Sequence, residues 1–311
     1  MANHLTSAYG GDRLTVSEMM KDPTFIPQIV LDELDGAFLE EAVFRNGGTN
    51  EGVVAYREAA APYLNDDAED VAEFAEIPVS DLNTGKLKSI IGLKNALAVR
   101  VSRETVKFNK ADMLGQQVTA LRNTMVRNGI RATLAAFEKG GIQTLAVSTP
   151  WTDDAAQPMR DFRQGKRLVS SARPDDRPED LDALFGYNAD TFVANPATVD
   201  LALFHDSVQK FYNGNAAIEN PAFTGVTPQT IANLRVVTSE FIPEGVAYIM
   251  QSGTAGFISE ADPLTVTEMY SESGENGFGG SRQSWRTDAF RNRIIAVDNP
   301  KAVVKLTGLE A

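Results

Sequence analysis

The longest periodic run of apolar positions lies between Lys110 and Gly141, in "KADMLGQQVTALRNTMVRNGIRATLAAFEKGG". It predicts one unbroken helix of about thirty residues, rising about 1.5 Å per residue to a length of roughly 40 Å. With about 100° of turn per residue, Leu114, Val118, Leu121 and Met125 share one stripe. Val126, Ile130, Leu134 and Phe137 share a second stripe, about 140° away, and the changeover falls near Gly129. A surface helix of a single domain normally keeps one stripe. Two readings remain open: a helix crossing the middle of one large domain, or a spine joining two substructures.

The flanking patterns are shorter. Residues 1–50 read as an arm, broken at Pro23 and Pro27. Within it "VLDELDGAFLEEAVF" predicts a short amphipathic helix with Asp32, Glu33, Asp35, Glu40 and Glu41 on its solvated face. "EGVVAYREAA" (51–60) has strand character, and the acid-rich "PYLNDDAEDVAEFAEIP" follows as a loop. "KLKSIIGLKNALAVRVS" (86–102) ends in alternation, with Leu97, Val99 and Val101 on one side, and "LNTG" before it is a turn. Residues 51–102 thus propose a long two-stranded excursion with too little apolar surface for its own core. An isolated hairpin is marginal in water, so it folds back on its own chain or lies on another molecule.

After Gly140-Gly141 the order is mixed. "QTLAVSTP" is a strand or an extended link, and "ARPDDRPEDLDALF" is an acidic loop followed by a helix start. "NADTFVANPATVDLALFHD" gives a short strand at 191–194, a turn at Asn195-Pro196 and a helix from about Thr198. Strands and turns then alternate. "SESGENGFGGSRQS" is a glycine-rich loop, and "RNRIIAVDNPKAVVKLTGL" places two strands around Asn299-Pro300. The fold class is α+β rather than regular βαβ.

Composition narrows the function. At 311 residues and 43% hydrophobic content the chain can fill a sizeable core. A net charge of −13 argues against a duplex-binding protein, which needs clustered Lys and Arg. Without cysteine there is no disulfide or thiol chemistry. No run approaches the roughly 20 apolar residues of a membrane span. The opening "MANHLTSAYGGDRLTVSEMM" lacks the order of a secretory signal.

Candidate chemistry is sparse. His205 stands beside Asp206 and Ser207 in "LFHDSV", but sequence neighbours on a helix point apart and form no relay. His4 is the only other histidine, so a zinc site has no ligand set. Asp66, Asp67, Glu69 and Asp70 lack the glycine and terminal Glu of a calcium loop. "ENGFGGS" is not followed by a helix, as a phosphate cradle requires, and no GxSxG elbow occurs. No catalytic, cofactor-binding or metal-binding residue is assigned. The expectation is a protein that is not an enzyme and needs no cofactor.

Three stretches carry a resemblance. They are "VAEFAEIPVSDLNTGKLKSIIGLKNALAVRVSRETV" leading into the long helix, "FVANPATVDLALF", and "LRVVTSEFIPEGVAYIMQ" through "RNRIIAVDNPKAVVKL". In order and spacing they resemble the major capsid protein of tailed bacteriophages, with the Hong Kong 97-like fold. The resemblance implies an N-terminal arm at 1–50, an extended β-hairpin loop at 51–102 and a spine helix of the peripheral domain at 103–144. It further implies an axial domain at 145–240 and return strands at 241–311. One spine stripe would meet the closing strands and the other a neighbour's arm. The implied function is self-assembly into pentamers and hexamers of an icosahedral shell enclosing double-stranded DNA. The alternative is an encapsulin-like compartment enclosing cargo enzymes. A third reading is an unrelated α+β enzyme dependent on His205.

Implied partners are further copies of the chain, with separate scaffolding, portal and decoration proteins, no membrane, and DNA held without sequence recognition. The implied location is the virion capsid, assembled in the host bacterial cytoplasm. Candidate inter-subunit contacts are Glu73, Glu76, Lys86 and Lys88 on the loop, and Ile130, Leu134 and Phe137 on the spine. Some relatives join a loop Lys to a neighbour's Asn with an assisting Glu. Lys86 matches that Lys, but Gln283 stands at the Asn position and Phe290 at the Glu position. A phenylalanine cannot shuttle protons, so no covalent cross-link is expected.

Overall fold

The computed structural model describes residues 15–34, 37–175, 182–209, 230–274 and 277–310. The leading segment forms α1 (Val16–Met19), α2 (Phe25–Leu34), α3 (Leu39–Val43) and strand β1 (Arg45–Thr49). Next come β2 (Val53–Arg57), β3 (Leu87–Ile91), β4 (Leu93–Ser102) and α4 (Arg103–Lys107). The long helix α5 (Ala111–Gly140) is followed by β5 (Gln143–Ala146), α6 (Pro158–Ser170), β6 (Thr191–Ala194), α7 (Pro196–Phe204) and α8 (Asp206–Gln209). The closing strands are β7 (Thr230–Ile231), β8 (Leu234–Thr238), β9 (Val246–Met250), β10 (Phe257–Val266), β11 (Tyr270–Ser271), β12 (Ser284–Ala296) and β13 (Val303–Thr307).

The expected long helix is present and ends at Gly141, whose φ of 72° suits glycine and stops the helix. Its two stripes enter two different cores. Leu114, Val118, Leu121 and Met125 pack with Ile26, Val30 and Leu34 of α2, with Val99 and Val101 of β4, and with Ala289 of β12. Ile130 and Phe137 pack with Val43 and Phe44, and with Tyr248, Met250 and Val303, while Leu134 packs at the edge of the same group. The Phe137 ring lies between Phe44 (centroids 5.4 Å) and Tyr248 (5.2 Å). Of the two open readings, the spine joining two substructures is the one observed.

This corrects two expectations. The second stripe is not left for a neighbour's arm: Ile130 and Phe137 are buried within their own chain and cannot meet another copy. The described part of the leading segment also packs on its own chain, with α2 against the first half of α5. The single helix expected in "VLDELDGAFLEEAVF" is split into α2 and α3, and Asp35 lies outside the described residues. Glu40, expected on a solvated face, is fully buried.

The physical reason lies at the changeover. Arg293 of β12 reaches Glu40 through Nη1, and Arg291 Nη1 stands 3.7 Å from the same Glu40 oxygen. A Cβ at position 129 would come within 3.0 Å of both Glu40 carboxylate oxygens and 3.3 Å of Arg293 Nη2. Gly129 therefore lets a buried charge pair lie flat against the helix, between the two apolar stripes. A buried charge needs such a partner.

Two sheets flank the spine. One runs β1-β10-β12-β11, with β4 on the other edge of β12 in ten registered pairs from Leu93↔Arg293 to Ser102↔Ser284. The other runs β5-β13-β9-β6-β8-β7 and mixes parallel and antiparallel pairs. Against it, α6 and α7 close a third core around Trp151, Phe162, Phe192, Leu203, Ile249 and Leu306. The strand and turn read at 191–196 are observed. The helix after them starts at Pro196, because Asn195 accepts from Ala197 N at 2.9 Å and proline fits the first helical position. The helix start read in "ARPDDRPEDLDALF" is absent from its described part after 181, and 176–181 lie outside the described residues. The α+β class stands.

Candidate assembly surface

Within 51–102 only β2 and β3 pair with each other, from Val53↔Ile91 to Arg57↔Leu87, since β4 joins the larger sheet. The foot of this hairpin is fixed to the body. Ala59 N donates to Asp298 O at 2.9 Å, Tyr63 Oη to Leu184 O at 3.1 Å, and Tyr56 meets the Phe257 ring edge-on. Lys88 pairs with Glu58. Gly85 is required here, because a Cβ at that position would sit 1.8 Å from the Glu58 carbonyl oxygen.

Beyond the stem the chain forms a lobe closed by an antiparallel bridge between Leu64 and Leu82. Asn65 N donates to Asp81 O at 3.1 Å and Asp66 N to Ser80 Oγ at 2.9 Å. Residues 62–79 are exposed throughout. Phe74 is 99% exposed and Val79 92%, and Ile77 and Leu82 are also open. Of seventeen exposed large hydrophobic residues in the described chain, ten lie between Val53 and Ile91, so the uncovered apolar surface is concentrated on one excursion. Scattered single apolar residues need no explanation, but a contiguous group marks an interface. The same lobe carries Asp66, Asp67, Glu69, Asp70, Glu73, Glu76 and Asp81, with no Lys or Arg between Arg57 and Lys86.

The sequence-predicted residues are not brought together. Glu73 and Glu76 are exposed on the lobe. Lys86 lies at the hairpin foot, on a cleft of about 370 Å³ shared with Glu58, Asp175, Tyr187, Asn299 and Lys301. Lys88 is half-buried against Glu58. Leu134 is half-buried, and Ile130 and Phe137 are internal. Phe290 packs under Lys94 Nζ at 4.1 Å, and Gln283 Oε1 accepts weakly from Arg103 at 3.4 Å. The exposed Phe74, Ile77 and Val79 were not singled out from sequence. Their signal is an apolar set between acids that matches neither helical nor strand period.

Elsewhere polar groups serve packing. His205 is buried at the end of α7, its Nδ1 2.7 Å from Ser207 Oγ and its Nε2 3.0 Å from the Asp153 carbonyl. Both ring nitrogens are engaged in fixing a helix end. Asp161 accepts from Trp151 Nε1 at 2.9 Å, and burial pushes its carboxyl above the usual range against the lowering effect of that bond. Burial, with Asp298 nearby, pushes Tyr187 up to about 12. Among the described residues no three His, Asp or Glu side chains are placed to hold a metal ion. No helix among them is long and apolar enough to cross a membrane.

A spine helix thus runs between two cores, with two flanking sheets and an uncovered hairpin. Residues 93–306 match the phage capsid protein family, and the chain belongs to that family. The match begins at the first residue of β4, just past the hairpin. The fold is similar to a solved chain of Gordonia phage Cozz (13% identity, 97% of each chain covered, TM-score 0.56). It is also similar to the mature capsid of bacteriophage PhiM1 (12% identity, 87% of this chain and 86% of that one, TM-score 0.54). A third likeness is to a virus-like particle from Pyrococcus furiosus (12% identity, 89% of this chain and 95% of that one, TM-score 0.52). No curated protein matches the sequence significantly.

Proposed function

We propose that this chain is the major subunit of a phage shell, assembling with its own copies into pentamers and hexamers that enclose double-stranded DNA. One observation carries the reading: apolar side chains are left uncovered on an excursion between Val53 and Ile91, attached to a body that is otherwise well packed. The excursion reaches over an adjacent copy, which covers that surface. Head-to-tail interfaces that close at a fixed rotation make rings, and many modest contacts add up through avidity. Family membership favours a viral shell over a cargo compartment. The subunit works as a structural protein of the virion capsid, assembled in the host cytoplasm. Separate scaffolding, portal and decoration proteins are its partners.

Lys86 forms no covalent link, because Phe290 offers no proton-transferring group. Negative-stain electron microscopy of the purified chain, with and without a scaffolding protein encoded beside it, tests the shell. Closed particles support the reading, and a species that stays monomeric in both preparations contradicts it. Boiled particles run on a denaturing gel test the second point: one monomer band is expected, and a ladder above it refutes the absence of cross-links.

A further inference from the structure

Between the edge strand β4 and the middle of α5 lies a cleft of about 200 Å³. Arg291 and Arg293 line it, two residues apart on β12 and therefore on one face of the sheet. Both guanidinium groups sit over the Phe38 ring, at 4.8 and 5.6 Å from its centre. The two side chains are only 7% and 4% exposed. Each keeps one nitrogen with no hydrogen-bond acceptor among the described residues: Arg291 Nη1 and Arg293 Nε. Burying a charged donor without an acceptor is costly, so such a donor in a folded chain calls for an ion or a water. Asn95 stands opposite Arg291 in the β4–β12 register, and Asn128 precedes Gly129 on α5. Both border the cleft from exposed positions, and among the described residues neither carboxamide makes a hydrogen bond. β4 has a sheet partner on one side only, and four consecutive residues of it, 94–97, line the cleft. Such an edge adds unpaired backbone N–H groups.

Donors dominate this lining. Glu40, Glu41 and Glu260 meet the same two arginines, but none of them borders the cleft. Lys94 Nζ lies over the Phe290 ring at 4.1 Å, so it adds positive charge nearby rather than a direct donor. Guanidinium forks match the geometry of oxyanions, and a carboxamide can turn its NH2 toward one. The cleft also exceeds by more than tenfold the roughly 10–15 Å³ that one water needs. We propose that it binds a small inorganic tetrahedral oxyanion of the phosphate class, held by Arg291 and Arg293 from below and by Asn95 and Asn128 at the rim. Bound there, the anion ties β4 to α5 at the seam where the spine passes from one core to the other, and stabilises the folded subunit. Because Glu40, Glu41 and Glu260 already share the arginine charge, the affinity is weak, with a Kd on the order of 1 mM. The site is complete within one chain and does not depend on shell assembly.

Isothermal titration calorimetry of the unassembled full-length subunit with sodium phosphate, at an ionic strength held constant with chloride, tests the site. Saturable one-site heat is expected. The melting temperature should rise with phosphate and follow the same saturation. General salt exclusion also raises it, but without saturating. N95D/N128D exchanges two exposed carboxamides without partners for carboxylates of the same shape, so it should fold as wild type while repelling the anion. Its phosphate binding should weaken by about tenfold or more, and the saturating rise should vanish. Saturable binding that is unchanged in N95D/N128D, or an equal and unsaturated rise in both proteins, overturns the proposal. N95A/N128A removes the same rim donors without adding charge and should weaken binding by about threefold or more, so unchanged binding there overturns it as well. Wild-type protein that gives no saturable heat overturns it whatever the variants do. A short DNA duplex titrated in place of phosphate separates the free ion from a nucleic-acid backbone. Saturable phosphate heat that persists with the duplex present supports the free ion, and duplex binding without phosphate binding overturns it.

Discussion

Replacing Glu40 by Gln should destabilise the subunit more than most surface or core changes. Glu40 is fully buried, and Arg293 Nη1 donates to its Oε1. Arg291 is not stranded by the change, because it also contacts Glu41 at 3.1 Å and pairs with Glu260. Arg293 is: Glu40 is its ion-pair partner among the described residues, and its Nε has none. Burial pushes the Glu40 carboxyl up while Arg293 opposes it, and burial also pushes the Arg293 guanidinium down. Both groups thus sit at a desolvation cost that their mutual attraction offsets. Breaking a buried pair from one side costs about 3–5 kcal/mol, whereas replacing both by apolar residues of similar volume is often near neutral. E40Q, E40L and R293M should each lose about 3–5 kcal/mol, and E40L/R293M far less than the sum of E40L and R293M, giving a coupling above about 3 kcal/mol. Urea unfolding of the unassembled subunit, followed by far-UV circular dichroism, measures all four. A loss below about 1 kcal/mol for E40Q, or simple additivity, would refute the account of the seam at Gly129.

Phe137→Ala removes a ring packed between Phe44 and Tyr248 and should cost about 3–5 kcal/mol in thermal unfolding; a loss under about 1 kcal/mol means the second stripe packs elsewhere. Asp161 has a folded pKa raised above 3.8, so its contribution to stability is full below 3.8 and is lost as pH rises through the folded value. Asp161→Asn should remove that component of the pH dependence while keeping an acceptor for Trp151, and an unchanged pH–stability curve would contradict it. Gly85→Ala places a Cβ 1.8 Å from the Glu58 carbonyl and should open the hairpin foot, read as faster proteolysis between residues 60 and 86; wild-type protection refutes the close approach.

The spine was legible because its signal is local and strong: two apolar stripes, a changeover at Gly129 and a glycine stop at Gly141. The strand, Asn-Pro turn and helix at 191–204 were legible for the same reason. What covers each stripe was not. Periodicity says that Ile130 and Phe137 are buried, but not whether Phe44 and Tyr248 of the same chain or a neighbour buries them. Glu40 was misread because in a short helix an acid counts as a solvated position. The arginine that neutralises it is 253 residues away in sequence. On the lobe, Glu73 and Glu76 were legible as acids, while Phe74, Ile77 and Val79 carried no regular period to mark them.

Cryo-electron microscopy of the purified, assembled protein tests the central claim most directly. The account predicts closed shells in which the lobe from Leu64 to Leu82 lies against a neighbouring copy and its apolar side chains are covered. Particles whose lobes project free into solvent, or a chain that remains monomeric at high concentration, would contradict it.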